Sequence, residues 1–279
     1  MCTTCGCGRS NEDIKIYRPD KEENLYSSEH HHHEHDNSHD IHEHTHANAN
    51  ETHTHTHSHS TLSIEEDILN ANNNLAERNR GYFEAKNIFA INLVSSPGSG
   101  KTSLLEKTLN QKLFQPISFV IEGDQQTDND AKRILTTGVS VLQINTGNAC
   151  HLDSNMIHQA LHALSPDENS YLFIENVGNL VCPALFDLGE NFRVVIFSVT
   201  EGEDKPLKYP YMFNTSQLVI INKIDLIPYL DFDLSIAREN ILKINPHAQI
   251  IELSVKTGEG IEKWLTWLKN RGIIQNHAE

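Results

Sequence analysis

The sequence predicts an α/β fold in which a mainly parallel sheet is flanked by helices. Two observations carry that expectation. From Ile88 onward, short apolar runs alternate with helix-like stretches, the pattern of strands buried on both faces and joined by crossover helices. The first run, Ile88-Phe89-Ala90-Ile91-Asn92-Leu93-Val94, leads directly into Ser95-Ser96-Pro97-Gly98-Ser99-Gly100-Lys101-Thr102, and helix-like Ser103–Leu109 leads out. Strand, glycine-rich loop and helix in that order make a phosphate-binding loop, so the fold is that of a P-loop NTPase. Its small residues let backbone N–H groups turn toward phosphate oxygens, and the helix start adds partial positive charge. Gly98, Ser99, Gly100, Lys101, Thr102 and Ser103 are the phosphate-binding candidates, although Ser95 stands where the loop usually has its first glycine.

Taken in order, residues 62–86 read as a polar helix. Ile64, Ile68, Leu75 and Phe83 give it a narrow apolar stripe, and Gly81 is a break point near its end. Packing against the domain that follows is the expected role. Strands are expected at 88–94, 117–121, 140–144, 171–175, 193–199, 217–222 and 249–253. Helices are expected at 102–113, 129–137, 153–164, 234–244 and 260–270. In such a sheet ligands bind at the carboxyl ends of the strands, which is where the motifs below fall.

Asn222-Lys223-Ile224-Asp225 follows the run Leu218-Val219-Ile220-Ile221. The Asp225 carboxylate can accept from guanine N1–H and the 2-amino group, which adenine lacks, and a site built for those donors rejects the base without them. Asn222 would brace the neighbouring loop, and the Lys223 stem would lie against the ring. Ser254-Val255-Lys256-Thr257-Gly258 fits a second base-contacting loop, with Ser254 and Lys256 as its candidates. The expected nucleotide is therefore GTP. Lys101 can reach the terminal phosphates, the Thr102 hydroxyl can ligate Mg²⁺, and Asp124 can hold Mg²⁺ or orient water, with Asp128 and Asp130 as alternatives. Glu175, opening Glu175-Asn176-Val177-Gly178, takes the place of a nucleotide-sensing switch acid. Lys101, Asp124 and Glu175 are the catalytic candidates. No glutamine follows Gly178, so slow intrinsic hydrolysis is expected.

Two further sets of residues point to transition metals. Residues 1–60 read as a disordered Cys/His-rich metal-binding tail, because large aliphatics are nearly absent. Cys2, Cys5 and Cys7 open it, a thiolate set suited to Ni²⁺, Zn²⁺ or Cu⁺, and a histidine tract runs from His30 to His59. Residues 61–87 form the helix and 88–279 the P-loop GTPase domain. Within that domain Cys150-His151 and Cys182 lie on loops expected at the nucleotide side of the sheet, where they could take Zn²⁺ or Ni²⁺. His158, His162 and His247 read as ordinary helix or loop histidines. A net charge of −16 argues against nucleic acid as a partner. No run approaches the ~18 apolar residues of a membrane helix, and the start of the chain lacks an apolar signal core, so a cytoplasmic location is expected.

The motif set Asn92–Thr102, Glu122-Gly123-Asp124, Cys150-His151-Leu152-Asp153, Glu175 to Pro183 and Asn222–Asp225 resembles the HypB family, the nickel-incorporation GTPases of [NiFe]-hydrogenase maturation. The resemblance covers roughly residues 62–270, and Ser95 is no departure within that family. It implies a GTP-dependent homodimer of the dimerising P-loop class and a high-affinity nickel site on Cys2, Cys5 and Cys7. It also implies a Ni²⁺/Zn²⁺ site on Cys150, His151 and Cys182 near the dimer interface. The HypA metallochaperone and the hydrogenase large-subunit precursor are the implied partners. Two rivals are a urease-type nickel-insertion GTPase, whose Cys-Pro-His motif differs from the separated Cys150-His151 and Cys182 here, and a nickel storage protein with a scaffold G domain.

Overall fold

The computed structural model describes residues 14–20 and 61–272, with the side chains of 61–65 left out. Cys2, Cys5, Cys7 and the histidine tract lie outside the described residues. Eight strands form one sheet in the order β1-β4-β3-β5-β2-β6-β7-β8. In chain order they are β1 (Lys15–Tyr17), β2 (Phe89–Ser95), β3 (Ser118–Asp124), β4 (Ser140–Asn145), β5 (Tyr171–Glu175), β6 (Phe192–Ser198), β7 (Leu218–Asn222) and β8 (Gln249–Glu252). All neighbouring pairs are parallel except β1 with β4. Helices are α1 (Thr61–Ala85), α2 (Lys101–Leu109), α3 (Asn129–Leu135), α4 (Ser154–Leu164), α5 (Cys182–Leu185), α6 (Lys205–Lys208), α7 (Pro210–Asn214), α8 (Leu234–Ile244) and α9 (Ile261–Arg271).

Alternate residues of each central strand enter different cores, as the two-residue repeat of a strand requires. Ile91 and Leu93 face Leu104, Leu105, Trp264 and Leu268 of α2 and α9. Ala90, Leu172 and Ile174 face Met156, Ile157, Ala160, Leu161 and Leu164 of α4, with Phe83 of α1. Val94, Val195, Phe197, Val219 and Ile221 face Met212, Phe213, Ala237 and Ile241 of α7 and α8. Each fully buried aliphatic contributes on the order of 1.5–3 kcal/mol, so continuous apolar strands between two helical layers hold the sheet flat enough to line up its carboxyl ends. The aromatic polar groups in this core are matched: Trp264 Nε1 donates to Thr108 Oγ1 at 2.8 Å and Tyr171 Oη to Leu268 O at 3.2 Å.

Three details depart from the sequence reading. β1 lies within the stretch expected to be unfolded. Its Ile16 is fully buried and pairs with Ile144 on the β4 edge, and Ile14 packs on the same core, a pair too short for periodicity to detect. α2 stops at Leu109 rather than 113, ahead of a 3-10 turn at Gln115–Ile117 that contains Pro116. α1 continues through Gly81 to Ala85, and its buried seam is not the expected aliphatic stripe. Asn72, Ala76, Asn79 and Phe83 are buried, whereas Ile68 and Leu75 are half-buried. The asparagines serve loop groups beneath the helix. Asn72 Nδ2 donates to Asp187 O and Asn72 Oδ1 accepts from Ser154 N; Asn79 Nδ2 donates to Ser154 O and Leu188 O. At Gly189 (φ +88°) an added Cβ would lie 2.5 Å from Ala76 O, so only glycine allows the helix this close. Among the described residues, no helix is long and apolar enough to cross a membrane.

Candidate nucleotide and metal sites

The loop between β2 and α2 opens a cavity of about 470 Å³ at the carboxyl ends of the strands. Pro97, Gly98, Gly100, Lys101, Thr102 and Ser103 line one side, and Asp124, Gln125, Gln126, Asp130, Arg133, Glu175, Val177 and Gly178 line the other. Lys101 Nζ donates to Ser95 Oγ at 2.9 Å, so the residue in the place of the first glycine holds the lysine head within its own loop. The single O–H of Ser99 is within reach of Glu201 Oε1 at 2.7 Å and of Ser96 O at 2.9 Å, as alternative acceptors. Gly100 sits at φ +103°, and a Cβ there would lie 2.4 Å from Asn222 Nδ2, which donates to Ser99 O at 2.8 Å. The asparagine that ends β7 thus braces the phosphate loop, as its place in the sequence suggested.

Carboxylates crowd the floor of the cavity. Glu122 and Glu175 are directly paired in register on β3 and β5, and both are buried. Their carboxylate oxygens and that of Asp130 lie within 4.8 Å of one another. Glu175 Oε1 accepts from Thr102 Oγ1 at 2.7 Å. Burial, reinforced by the Glu175 and Asp124 carboxylates, pushes the Glu122 carboxyl up to about 9. Burial also raises Glu175, opposed by Lys101 and the Thr102 hydroxyl. Glu122 Oε2 and Glu175 Oε2 are buried without a hydrogen-bond partner. Two such oxygens beside a hydroxyl and a further carboxylate fit a hard divalent cation such as Mg²⁺, which takes oxygen ligands. Asp124 lines the cavity, but its Oδ1 accepts from the N–H groups of Gln126 and Thr127 and so caps its own turn. Asp128 pairs with Lys132 at 2.8 Å. Arg133 reaches Ser103, Glu106 and Asp130 from α3.

At the far end of the loop, Lys223 adopts φ +65° and donates Nζ to Gly98 O at 2.7 Å. Asp225 Oδ1 accepts from Ser254 Oγ, which joins the two expected base-contacting loops. Ser254 Oγ also accepts from Thr257 N at 3.1 Å, and Asn222 Oδ1 accepts from Val255 N at 3.2 Å. Lys256 lies on this same turn and is not buried.

The second cluster is built on two connections. Cys150 and His151 lie on the connection from β4 to α4, and Cys182 opens α5. The two sulfurs and an imidazole nitrogen lie within 4.8 Å of one another, so residues separated by 31 positions meet as a three-ligand set. Cys150 Sγ is 4.0 Å from His151 Nδ1. The His151 ring stacks on Phe186 with centroids 3.9 Å apart, and burial holds its pKa down to about 4. It is therefore neutral at physiological pH with a lone pair to give, as a soft or borderline metal ion needs. Asn176, the residue after Glu175, ties the two sites: its Oδ1 accepts from Leu152 N, next to His151, at 3.2 Å. Sequence reasoning missed Glu122, Gln125, Gln126, Arg133 and Glu201. Glu122 alone had a sequence signal, since an acid near the end of an apolar strand beside a second such strand implies a facing pair.

The parallel sheet, the glycine loop and the strand-end acids define a P-loop nucleotide-binding protein, and the nucleotide-binding domain family described as CobW/HypB/UreG matches residues 89–252. The chain belongs, within that class, to the hydrogenase maturation factor HypB family. It is 54% identical over 208 residues to hydrogenase maturation factor HypB of Rhizobium leguminosarum bv. viciae, covering 75% of this chain and 70% of the relative. HypB from Helicobacter pylori, solved in complex with nickel, is 39% identical with a TM-score of 0.69, covering 75% of this chain and 98% of that one. The maturation factor HypB from Archaeoglobus fulgidus is 40% identical with a TM-score of 0.67, covering 72% and 98%.

Proposed function

We propose that this chain is a metal-regulated GTPase that binds nickel as cargo and helps insert it into the [NiFe]-hydrogenase large-subunit precursor. The observation that supports this most is the segment after β5. Glu175 touches the phosphate-loop threonine, Asn176 touches the residue beside His151, and Cys182 follows on the same connection. One mobile loop would then sense the third phosphate at its root and grip the metal further along, so each ligand biases the other.

Backbone N–H groups of Gly98–Thr102 would bind phosphate oxygens, and Lys101 would leave Ser95 for the terminal phosphates. Asp225, held by Ser254, would accept from the guanine edge, with Lys223 and Lys256 beside the base. Thr102, Glu122, Asp130 and Glu175 would hold Mg²⁺, with Asp124 alongside; when bound, the ion neutralises charge on the phosphates. Hydrolysis is in-line attack by water on the γ-phosphate. Its intrinsic rate is slow, because the nearest carboxamide after Gly178, that of Asn179, accepts from Val181 N at 2.8 Å and is occupied in its own turn.

Cys150, His151 and Cys182 would take Ni²⁺ or Zn²⁺ near the interface of a GTP-dependent homodimer, and residues 1–60, with Cys2, Cys5 and Cys7, would supply a high-affinity nickel tail. A cytoplasmic location and work with the HypA metallochaperone complete the reading. The test is the monomer–dimer balance with GDP or a GTP analogue, with and without Ni²⁺, for the native chain and Cys182→Ala. The GTP analogue is expected to favour dimer, and Ni²⁺ to shift that balance only when Cys182 is present. A balance indifferent to Ni²⁺ in the native chain rejects the coupling. Hydrogenase activity that survives deletion of the gene rejects the cargo assignment.

A further inference from the structure

His158 and His162 stand four residues apart on α4, the spacing that puts side chains on one helix face. Their Nε2 atoms are 3.3 Å apart and their rings are nearly perpendicular, at 88°. Two imidazole nitrogens each bound at about 2.0–2.1 Å to one tetrahedral ion are themselves about 3.3 Å apart. The separation of the pair thus matches the bite of a single ion. We propose that His158 and His162 form a divalent transition-metal site, distinct from the Cys150–His151–Cys182 cluster, that takes Ni²⁺, Zn²⁺ or Cu²⁺ and leaves the remaining coordination positions open.

The surroundings support it. His162 is exposed and His158 is half-buried, so water or a further ligand can complete the shell. Nitrogen-only ligation excludes Mg²⁺ and Ca²⁺, which take oxygen. Burial first, then the neighbouring His162 and the charge of Arg78 on α1, hold His158 below the ordinary histidine range. The same charge opposes a cation, so this site holds metal more loosely than two thiolates do. The inference stands on these two side chains and does not depend on the hydrogenase reading.

The competing arrangement is a plain N–H···N hydrogen bond between the rings. Residue-resolved histidine modification by diethylpyrocarbonate, read by mass spectrometry on the full chain, separates the two. Ni²⁺ or Zn²⁺ is added beyond saturation of the tail and cysteine sites, with His247 as internal reference. At a free metal concentration about ten times the dissociation constant, modification of His158 and His162 is expected to slow about tenfold. In His162→Gln the protection of His158 should disappear, and in Cys182→Ala it should persist. Equal modification rates with and without metal overturn the site, as does protection of His158 that survives His162→Gln unchanged.

Discussion

At the nucleotide pocket the acidic groups Glu122, Asp124 and Glu175 stand on strand ends and Lys101 and Thr102 on the helix that follows one, whereas at the thiolate cluster the groups stand on connections. Glu122 and Glu175 occupy adjacent register positions of a sheet buried on both faces, and the Gly100–Asn222 approach fixes the loop against β7. Cys150 and His151 belong to a β4–α4 connection, and Cys182 to a four-residue helix. The first arrangement suits in-line phosphoryl chemistry, where small misplacement is costly. The second suits a cargo that must be gripped and released, since connections can shift without disturbing the sheet. Under the metal cluster, α1 supplies a compromise: Asn72 and Asn79 pin Ser154 and the 187–188 backbone without filling the region with apolar contacts.

The sharpest way to break this contrast is Lys101→Ala. Loss of a preorganised charge on the phosphates should lower the turnover number about 100-fold or more in a phosphate-release assay. Ni²⁺ and Zn²⁺ binding by Cys150, His151 and Cys182 should survive it. If both fall together, the sites are not separable. Cys182→Ala is the converse. It removes one of the three proposed ligands, so metal affinity of the domain should fall by more than the roughly 10–100-fold typical of losing an outer-sphere partner. Nucleotide affinity, measured by calorimetry on the metal-free protein, should be unchanged.

Asn79→Ala probes the polar seam. It removes the side-chain donor to Ser154 O and Leu188 O, and a cost of about 1–3 kcal/mol in chemical denaturation is expected. A neutral result would mean that the seam contributes nothing beyond contact. A separate prediction concerns pH. Glu122 is pushed up to about 9 in the folded chain from an ordinary 4.5. Between those values the folded state holds a proton that the unfolded state has lost. This contribution to stability is full below about 4.5 and is lost as pH rises through 9. Thermal melts of the protein free of nucleotide and metal should fall across that window, and Glu122→Gln should flatten the decline. An unchanged slope in the variant would place the titration elsewhere.

Local chemistry made much of this legible. The runs around Ile91, Phe173, Val195 and Ile220 are apolar because both their faces are covered, and a continuous apolar run is visible without coordinates. Asn222 could be assigned a bracing role because its place after a strand, at a fixed distance beyond the phosphate loop, leaves it little else to do. Other features stayed hidden for physical reasons. β1 is three residues long and packs through Ile16 with Ile14 beside it, a run too short to stand out as a pattern. The seam of α1 is made of asparagines, which hydropathy scores as surface, and their worth comes from carbonyls more than seventy positions away in the chain. Arg133 and Gln125 reach the pocket only because β3 and α3 bring them there.

By itself the sequence determined the alternating architecture, the phosphate loop and the guanine-type motif, and marked Cys150, His151 and Cys182 as candidates, because each depends on residues adjacent in the chain, on residue type or on the burial of continuous apolar runs. Only the tertiary structure decided that Glu122 rather than Asp124 faces Glu175, that Cys182 meets Cys150 and His151, and that two helix histidines converge. Those facts depend on strand register, on where connections emerge and on side-chain rotamers, none of which is encoded by neighbours along the chain.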